Sequence, residues 1–461
     1  MERRELEALP KDSLIDLIIE LRALVKQQGE EIAELKRLLR LDSRTSSKPP
    51  SSDHPKPPVA PGGTRKKGPP HGHRGVTRLD FGRVDVVQEV PLPAACPGCA
   101  HALAAATVTT ESHIVAELVA QPVVITEYRQ AKAACPHCGS QVRGVLPDDV
   151  LPGQHYGPRL QAWLNILGSW AHVSLAKQEE LCEALLAIPI SQGTLSTLRQ
   201  RSSEALAEPV LDLQAWLRQQ AVVGMDETGW RVNGQRAYLW TVTTPQATLL
   251  HVANSRSSQV IRDLLGETFD GTIVCDFYKS YDKYKPGQRQ RCLAHLLRDV
   301  DACGLSKEVQ DQRFAVRVGR YLREVFHLRA GRPRQWASAW PVSKRLWHYL
   351  RYELSPEVPK LTARLRKRLL KYWDQLWRWE ANDQIPPDNN GSERALRLGV
   401  TQRKVSGGSR SDWGMVGMAR LLTVVQSCRQ QRCSPVEFLR QALLAKAHAH
   451  LEAPTLIPSR A

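Results

Sequence analysis

The chain has 461 residues, 42% apolar and 24% charged, which is enough core-forming material for two to four domains and too apolar for a disordered chain. Lys and Arg number 64 against 47 Asp and Glu, a formal charge of +17, so an acidic polymer is the first partner to consider, nucleic acid ahead of an anionic membrane surface. No run of about 20 apolar residues occurs, the charged start leads into no secretory signal, and ten cysteines are too few for a disulfide scaffold; the sequence predicts a cytoplasmic protein with no membrane span.

Residues 1–42 carry a heptad pattern. Ile18, Val25, Ile32 and Leu39 fall at a, and Leu14, Leu21, Gln28 and Leu35 at d. Beta-branched residues at a with Leu at d predict a parallel two-stranded coiled coil, and hence a homodimer; one amphipathic helix docked on its own protein has the same spacing. Residues 43–80 hold eight Lys/Arg against two Asp, and residues 49–70 hold eight prolines, the composition of a disordered basic linker. Residues 81–150 read as a zinc-binding module. Cys96-Pro-Gly-Cys99 and Cys135-Pro-His-Cys138 form two matched turns whose four thiolates suit one structural Zn²⁺, and Thr107–Tyr128 between them reads as short antiparallel strands. Such a ribbon can grip DNA or brace the fold.

Residues 151–218 read as helices. Leu175 to Leu186, the break Ile188-Pro-Ile190 and a helix capped by Ser191 match a helix-turn-helix DNA-binding domain, with Gln192, Thr194, Arg199 and Arg201 on the face that would enter the major groove; many ordinary helix pairs share this order. Residues 219–300 change to strands. The run ending at Asp226, the hairpin around Asn233-Gly234 and the run ending at Asp276 predict an α/β core with acids at strand ends. Two such carboxylates, with a third from elsewhere, could hold two Mg²⁺ about 4 Å apart for phosphoryl transfer; a lone strand-end Asp more often caps a turn. Residues 301–385 read as an all-helical basic insertion rich in tryptophan, either stacking on bases or forming a core. Residues 386–432 return to the core. There Glu393 is the third acid or the partner of Asn390 in a capping box, and Arg394, Arg397, Arg403, Lys404, Ser409 and Arg410, around Gly407-Gly408, suit phosphate contact. Residues 433–461 form a C-terminal helical tail.

Met225-Asp226-Glu227-Thr228, Ile273-Val-Cys-Asp276-Phe-Tyr-Lys-Ser-Tyr281, Cys292-Leu-Ala-His295-Leu-Leu-Arg298 and Asp388-Asn-Asn390-Gly-Ser-Glu393-Arg394-Ala-Leu-Arg397 together resemble the motifs of the insertion sequence 66 family of DDE transposases. The resemblance implies a multidomain α/β protein with a ribonuclease-H-like catalytic core interrupted by the helical insertion. It implies Asp226, Asp276 and Glu393 as ligands of two Mg²⁺, with Mn²⁺ as a substitute, and leaves Glu227 outside the triad. His295 would contact the scissile phosphate or orient an acid, unless it is an ordinary helix-face histidine; Arg298 lies in the same segment and is grouped with the DNA contacts. The implied activity is cleavage of a phosphodiester at an element end, then attack of the freed 3′-OH on target DNA. Element ends and target, both double-stranded DNA, would be the partners, with accessory transposition proteins alongside. The competing functions are a non-catalytic or domesticated DNA-binding regulator and a two-metal nuclease without strand transfer. Val405 and Phe277 depart from the family pattern, where Asn and Gly are common.

Overall fold

The computed structural model describes residues 22–25, 27, 28, 84–88, 90, 93, 94, 122–134, 136–138, 140–331 and 340–459. Pro55–Thr126 forms one unit and the rest of the chain another. The described residues of the smaller unit form no helix or strand. Of the expected coiled coil only residues 22–25, 27 and 28 are described, and they are helical. The linker 43–80 and the zinc ligands Cys96, Cys99 and Cys135 lie outside the described residues; Cys138 is exposed, with its Sγ 3.3 Å from Ser140 Oγ.

The strands expected over Thr107–Tyr128 are absent where that stretch is described. Residues 122–128 form no strand pairing among the described residues, and Val124 and Ile125 are exposed. Pairing starts later, in β1 (Lys132–Ala134) and β2 (Gln141–Arg143), antiparallel with Ala133 opposite Val142. These tripeptides flank the second cysteine turn, so their pairing is local and needs no distant strand.

Four helices follow: α1 (Pro158–Ser169), α2 (Leu175–Leu186), α3 (Gln192–Ala205) and α4 (Ala207–Leu217). Ser174 and Ser191 cap α2 and α3 by accepting from the amides of Lys177 and Thr194, and α2 stops at Ala187, which has a left-handed backbone. Leu164, Cys182, Ile190, Leu195 and Leu198 make a small core for this helical pair. The same helices also supply Ala162, Ile166, Ala205 and Leu213 to the main core beneath the sheet.

That sheet is five-stranded, open and mixed. Its strands are β3 (Val222–Val232), β4 (Gln235–Thr243), β5 (Thr248–Ala253), β6 (Thr272–Cys275) and β7 (Gln288–Arg291), in the order β5-β4-β3-β6-β7. Asn233 and Gly234, both at positive φ, turn β3 back on β4 as an Asn-Gly hairpin should. The pairs β3–β6 and β6–β7 are parallel, joined through α5 (Ser258–Leu265) and α6 (Ser280–Lys283). This α/β arrangement is consistent with a ribonuclease-H-like core.

After β7 come α7 (Leu293–Cys303), α8 (Val309–Arg329), α9 (Val342–His348), a π-helical turn (Tyr349–Glu353), α10 (Lys360–Lys371) and α11 (Arg378–Ala381), which build a second core of their own. Their tryptophans are part of it. Trp377 is buried, Trp373 lies 4.9 Å from Trp347 and 5.4 Å from Trp377 between ring centroids, and Trp379 packs alongside. Of the tryptophans considered for base stacking, these four serve packing. The chain returns in α12 (Asn390–Ser406), α13 (Asp412–Gln430) and α14 (Pro435–Ala447), and α14 packs on α1.

The outer edge of β5 is closed by hydroxyls of α13. Ser427 Oγ accepts from the Thr248 amide at 3.1 Å and donates to the Thr248 carbonyl at 2.9 Å. Thr423 Oγ1 does the same for Leu250, at 2.9 and 3.3 Å. An unpaired edge recruits foreign strands, and here side chains occupy it at Thr248 and Leu250. Replacing both residues, Thr423→Val with Ser427→Ala, strands four buried backbone groups. Chemical denaturation should show a loss of about 2–4 kcal/mol, and light scattering should show faster aggregation on warming.

Candidate active site

The site begins with strand register. The parallel register pairs Val222 with Thr272 and Gly224 with Val274, and Asp226 and Asp276 each follow two residues beyond the last of these pairs. Asp226 Oδ1 accepts from the Glu227 amide at 2.9 Å, and Asp276 Oδ1 from the Tyr278 amide at 2.8 Å. The first turn of α12 is brought to the same strands by Asn389, whose Nδ2 donates to the Met225 carbonyl at 2.8 Å and whose Oδ1 accepts from Ser392 at 2.7 Å. Gly224 makes this approach possible, because a Cβ there would lie 2.4 Å from Ser392 Oγ.

Glu393, in the first turn of α12, does not complete a capping box. The helix begins at Asn390 with Asn389 as cap residue and no side-chain cap, while the Asn390 amide is taken by Asp388 Oδ1 at 2.9 Å. Its carboxylate instead meets His295 Nε2 at 3.5 Å and Arg298 Nη2 at 3.6 Å, both from α7. Glu393 Oε1 and His295 Nδ1 are buried without hydrogen-bond partners. Burial pushes the His295 pKa down, against the opposing pull of Glu393. Cys292, one turn before, accepts from the Asn389 amide at 3.2 Å, and burial lifts its pKa to about 12, so it is a packing thiol.

Electrostatics tie the acids together. Burial raises the Asp226 pKa well above the usual carboxylate range, and the charges of Glu227, Asp276 and Glu393 all push the same way. Alternation along β3 sends Glu227 to the opposite face, where it is buried against Arg256 (Nε to Oε1, 2.8 Å) and Tyr281 (hydroxyl to Oε2, 2.7 Å). Glu227 has a cation; among the described residues no cation is paired with Asp226. Among the described residues no three metal-ligating side chains already converge on one point.

The cationic residues divide. Arg394 and Arg397 are exposed and, with Arg429, line a groove of about 920 Å³ beside Gly224, Asn389 and Ser392. Lys404 and Arg410 are exposed as well. Arg403 donates to the Gly229 carbonyl and lies 3.4 Å from Thr228 Oγ1, pinning α12 to β3. Ser409 is buried and bonded to Arg231, Asn233 and Trp230, and Gly408 lies against the Arg231 backbone. The glycine pair thus returns the chain to the sheet where phosphate contact was expected, because its neighbours join β3 through a parallel bridge. On α3, Gln192 and Arg201 are exposed and Thr194 half-buried, but Arg199 folds inward against Gly168, and burial lowers its pKa. Val405 is exposed, whereas Phe277 packs edge-on against Tyr372 of the insertion at 5.5 Å. Tyr281 and Asn389 lie inside the quoted motifs with no role legible in them, and Arg256 lies outside every motif.

The sequence profile of the transposase IS66 family matches residues 153–417, which include the whole sheet and α12. The chain belongs to that family. Residues 2–78 match a family of unknown function (DUF6444). The uncharacterized protein y4jO of Sinorhizobium fredii is 31% identical over 105 residues, 23% of this chain; the match spans about a third (32%) of that relative's length. No helix among the described residues is long and apolar enough to cross a membrane.

Removing the cation from Glu227 tests its structural role. Arg256→Met leaves a buried carboxylate with only Tyr281 as partner, and thermal or urea unfolding should report a loss of about 3 kcal/mol. Glu227→Gln in the same background should recover most of it.

Proposed function

We propose that this transposase cuts DNA at element ends and joins the freed 3′-OH to target DNA, using divalent cations held by Asp226, Asp276 and Glu393. The observation that carries the reading is the unneutralised Asp226, whose carboxylate is pushed up by burial and by three neighbouring acids. The donor set fits Mg²⁺ or Mn²⁺: hard carboxylate oxygens from three elements, with Glu393 Oε1 lacking any hydrogen-bond partner. Cations there would polarise the attacking and leaving oxygens of an in-line phosphodiester exchange.

The chain's own side chains do the rest in this reading. His295 and Arg298 hold the Glu393 carboxylate toward the strand ends, and Arg394, Arg397 and Arg429 neutralise backbone phosphates along the adjoining groove. Lys404, Arg410, Gln192, Thr194 and Arg201 extend the DNA contacts. Asn389 ties the α12 terminus to the Met225 carbonyl, next to Asp226, which supports this reading of Glu393. Residues 1–42 pair two subunits, the four cysteines Cys96, Cys99, Cys135 and Cys138 hold one structural Zn²⁺, and the working protein is cytoplasmic and DNA-bound, with accessory transposition proteins as candidate partners.

Asp226→Asn, Asp276→Asn or Glu393→Gln should each lower end cleavage and strand transfer by at least about a hundredfold, with end-DNA affinity nearly unchanged. The assay uses a labelled element end with a supercoiled plasmid. Wild-type protein that cuts without joining would reduce the reading to a nuclease, and one that binds without cutting would make it a regulator.

Stability gives a separate check with the opposite sign. A carboxyl whose folded pKa is raised destabilises the fold above that pKa, and the penalty is relieved as pH falls through it. Metal-free Asp226→Asn should therefore melt higher than wild type at neutral and alkaline pH, with the difference closing as pH falls through the raised Asp226 pKa. Elemental analysis provides a third test: about one zinc per chain, lost in Cys96→Ser/Cys135→Ser.

A further inference from the structure

A cavity of about 390 Å³ lies between β7 and the helical insertion, lined by neither the three acids nor the groove along α12. Lys285, Arg289, Arg291, Lys371 and Arg378 line it, and Asp282 is the one acid among its described lining residues. Asp282 is already engaged, by Arg291 Nη2, by the Tyr372 hydroxyl at 2.7 Å and by Lys371 at 3.8 Å. Four positive charges are left in excess.

Two of these cations also carry unused donors. Arg289 is 7% exposed; its Nη1 donates to the carbonyls of Pro286 and Gly287 at 2.7 Å, and its Nη2 is buried with no partner. Arg378 Nη1 donates to Gln288 at 2.5 Å, and its Nε is likewise buried and unpaired. Clustered cations in excess are unfavourable, and an anion with several acceptor oxygens relieves them. A carboxylate offers two oxygens; a phosphoryl group offers more and fits this volume.

We propose that the cavity binds a phosphoryl group, supplied either by the backbone of bound DNA or by a small phosphorylated anion. Arg291 links the cavity to the acids, since its Nη1 donates to the Asp276 carbonyl at 2.6 Å and its Nε to Gln375 of the insertion at 2.8 Å. An occupant therefore bears on the side chain that braces the second aspartate.

Full-length protein tests this without any cleavage readout, so its failure leaves the cleavage reading untouched. Pyrophosphate binding is measured by calorimetry and end-duplex affinity by fluorescence anisotropy. Wild type is compared with Lys285→Gln/Lys371→Gln, both exposed positions, and with the charge-matched Lys307→Gln/Lys446→Gln. Circular dichroism melts confirm that each variant folds. Saturable pyrophosphate binding that weakens at least tenfold in the cavity variant alone supports a small anion. No pyrophosphate binding, with end-DNA affinity at least tenfold weaker in the cavity variant than in the control, supports a backbone phosphate. Pyrophosphate and DNA affinities that both match the control overturn the proposal.

Discussion

Parallel pairing of β3 with β6 is the constraint from which the site follows. It carries Asp226 and Asp276 on neighbouring strands, and burial together with the charges of Asp276, Glu227 and Glu393 pushes the Asp226 pKa up. Repulsion between like charges taken out of water draws on the roughly 5–15 kcal/mol by which domains are stable. The fold meets this at the next residue but not at Asp226. Glu227, turned to the other face, has Arg256 and Tyr281; Asp226 is left exposed to its neighbours' charge. Strain of that kind, concentrated at one acid, is what a functional site retains and a structural one removes.

The insertion is joined to the sheet at the second aspartate. Phe277, the residue after Asp276, packs on Tyr372, and the Arg368 guanidinium lies 4.2 Å from the Phe277 ring centroid. Arg291, fully buried, reaches the Asp276 carbonyl from β7 and Gln375 from the insertion. Where the family commonly has glycine, this chain has an aromatic that fastens a whole helical layer beside the acid. Trp347, Trp373, Trp377 and Trp379 pack within that layer.

Local signals were legible in the sequence, and tertiary ones were not. The Asn233-Gly234 hairpin, the serine caps of α2 and α3 and the acid-tipped strand β6 are encoded within a few residues, so their patterns could be read directly. Glu393 shows the limit: Asn390 and Glu393 have capping-box spacing, yet His295 and Arg298, nearly a hundred residues earlier, are its partners. Arg199 sits in a polar helical run, but the small Gly168 on α1 opens space that draws it inward. Gly408 and Ser409 suit phosphate contact until Arg231 and Trp230 are placed opposite them. Each misreading arises where a distant partner outcompetes solvent or ligand.

The hydroxyl seal on β5 bears on synthesis. Leu250 and Thr423 are 173 residues apart, so at roughly 5–20 residues per second the strand leaves the ribosome roughly 10–35 s before its cover. Through that interval a sheet edge rich in apolar residues has only solvent or chaperones to occupy it. Glu393 also emerges late, so the third acid and the edge cover arrive almost together. A nascent chain interrupted before α13 would carry both aspartates on an unsealed sheet, and such fragments should be handled by the cell as clients for degradation, not as shortened enzymes.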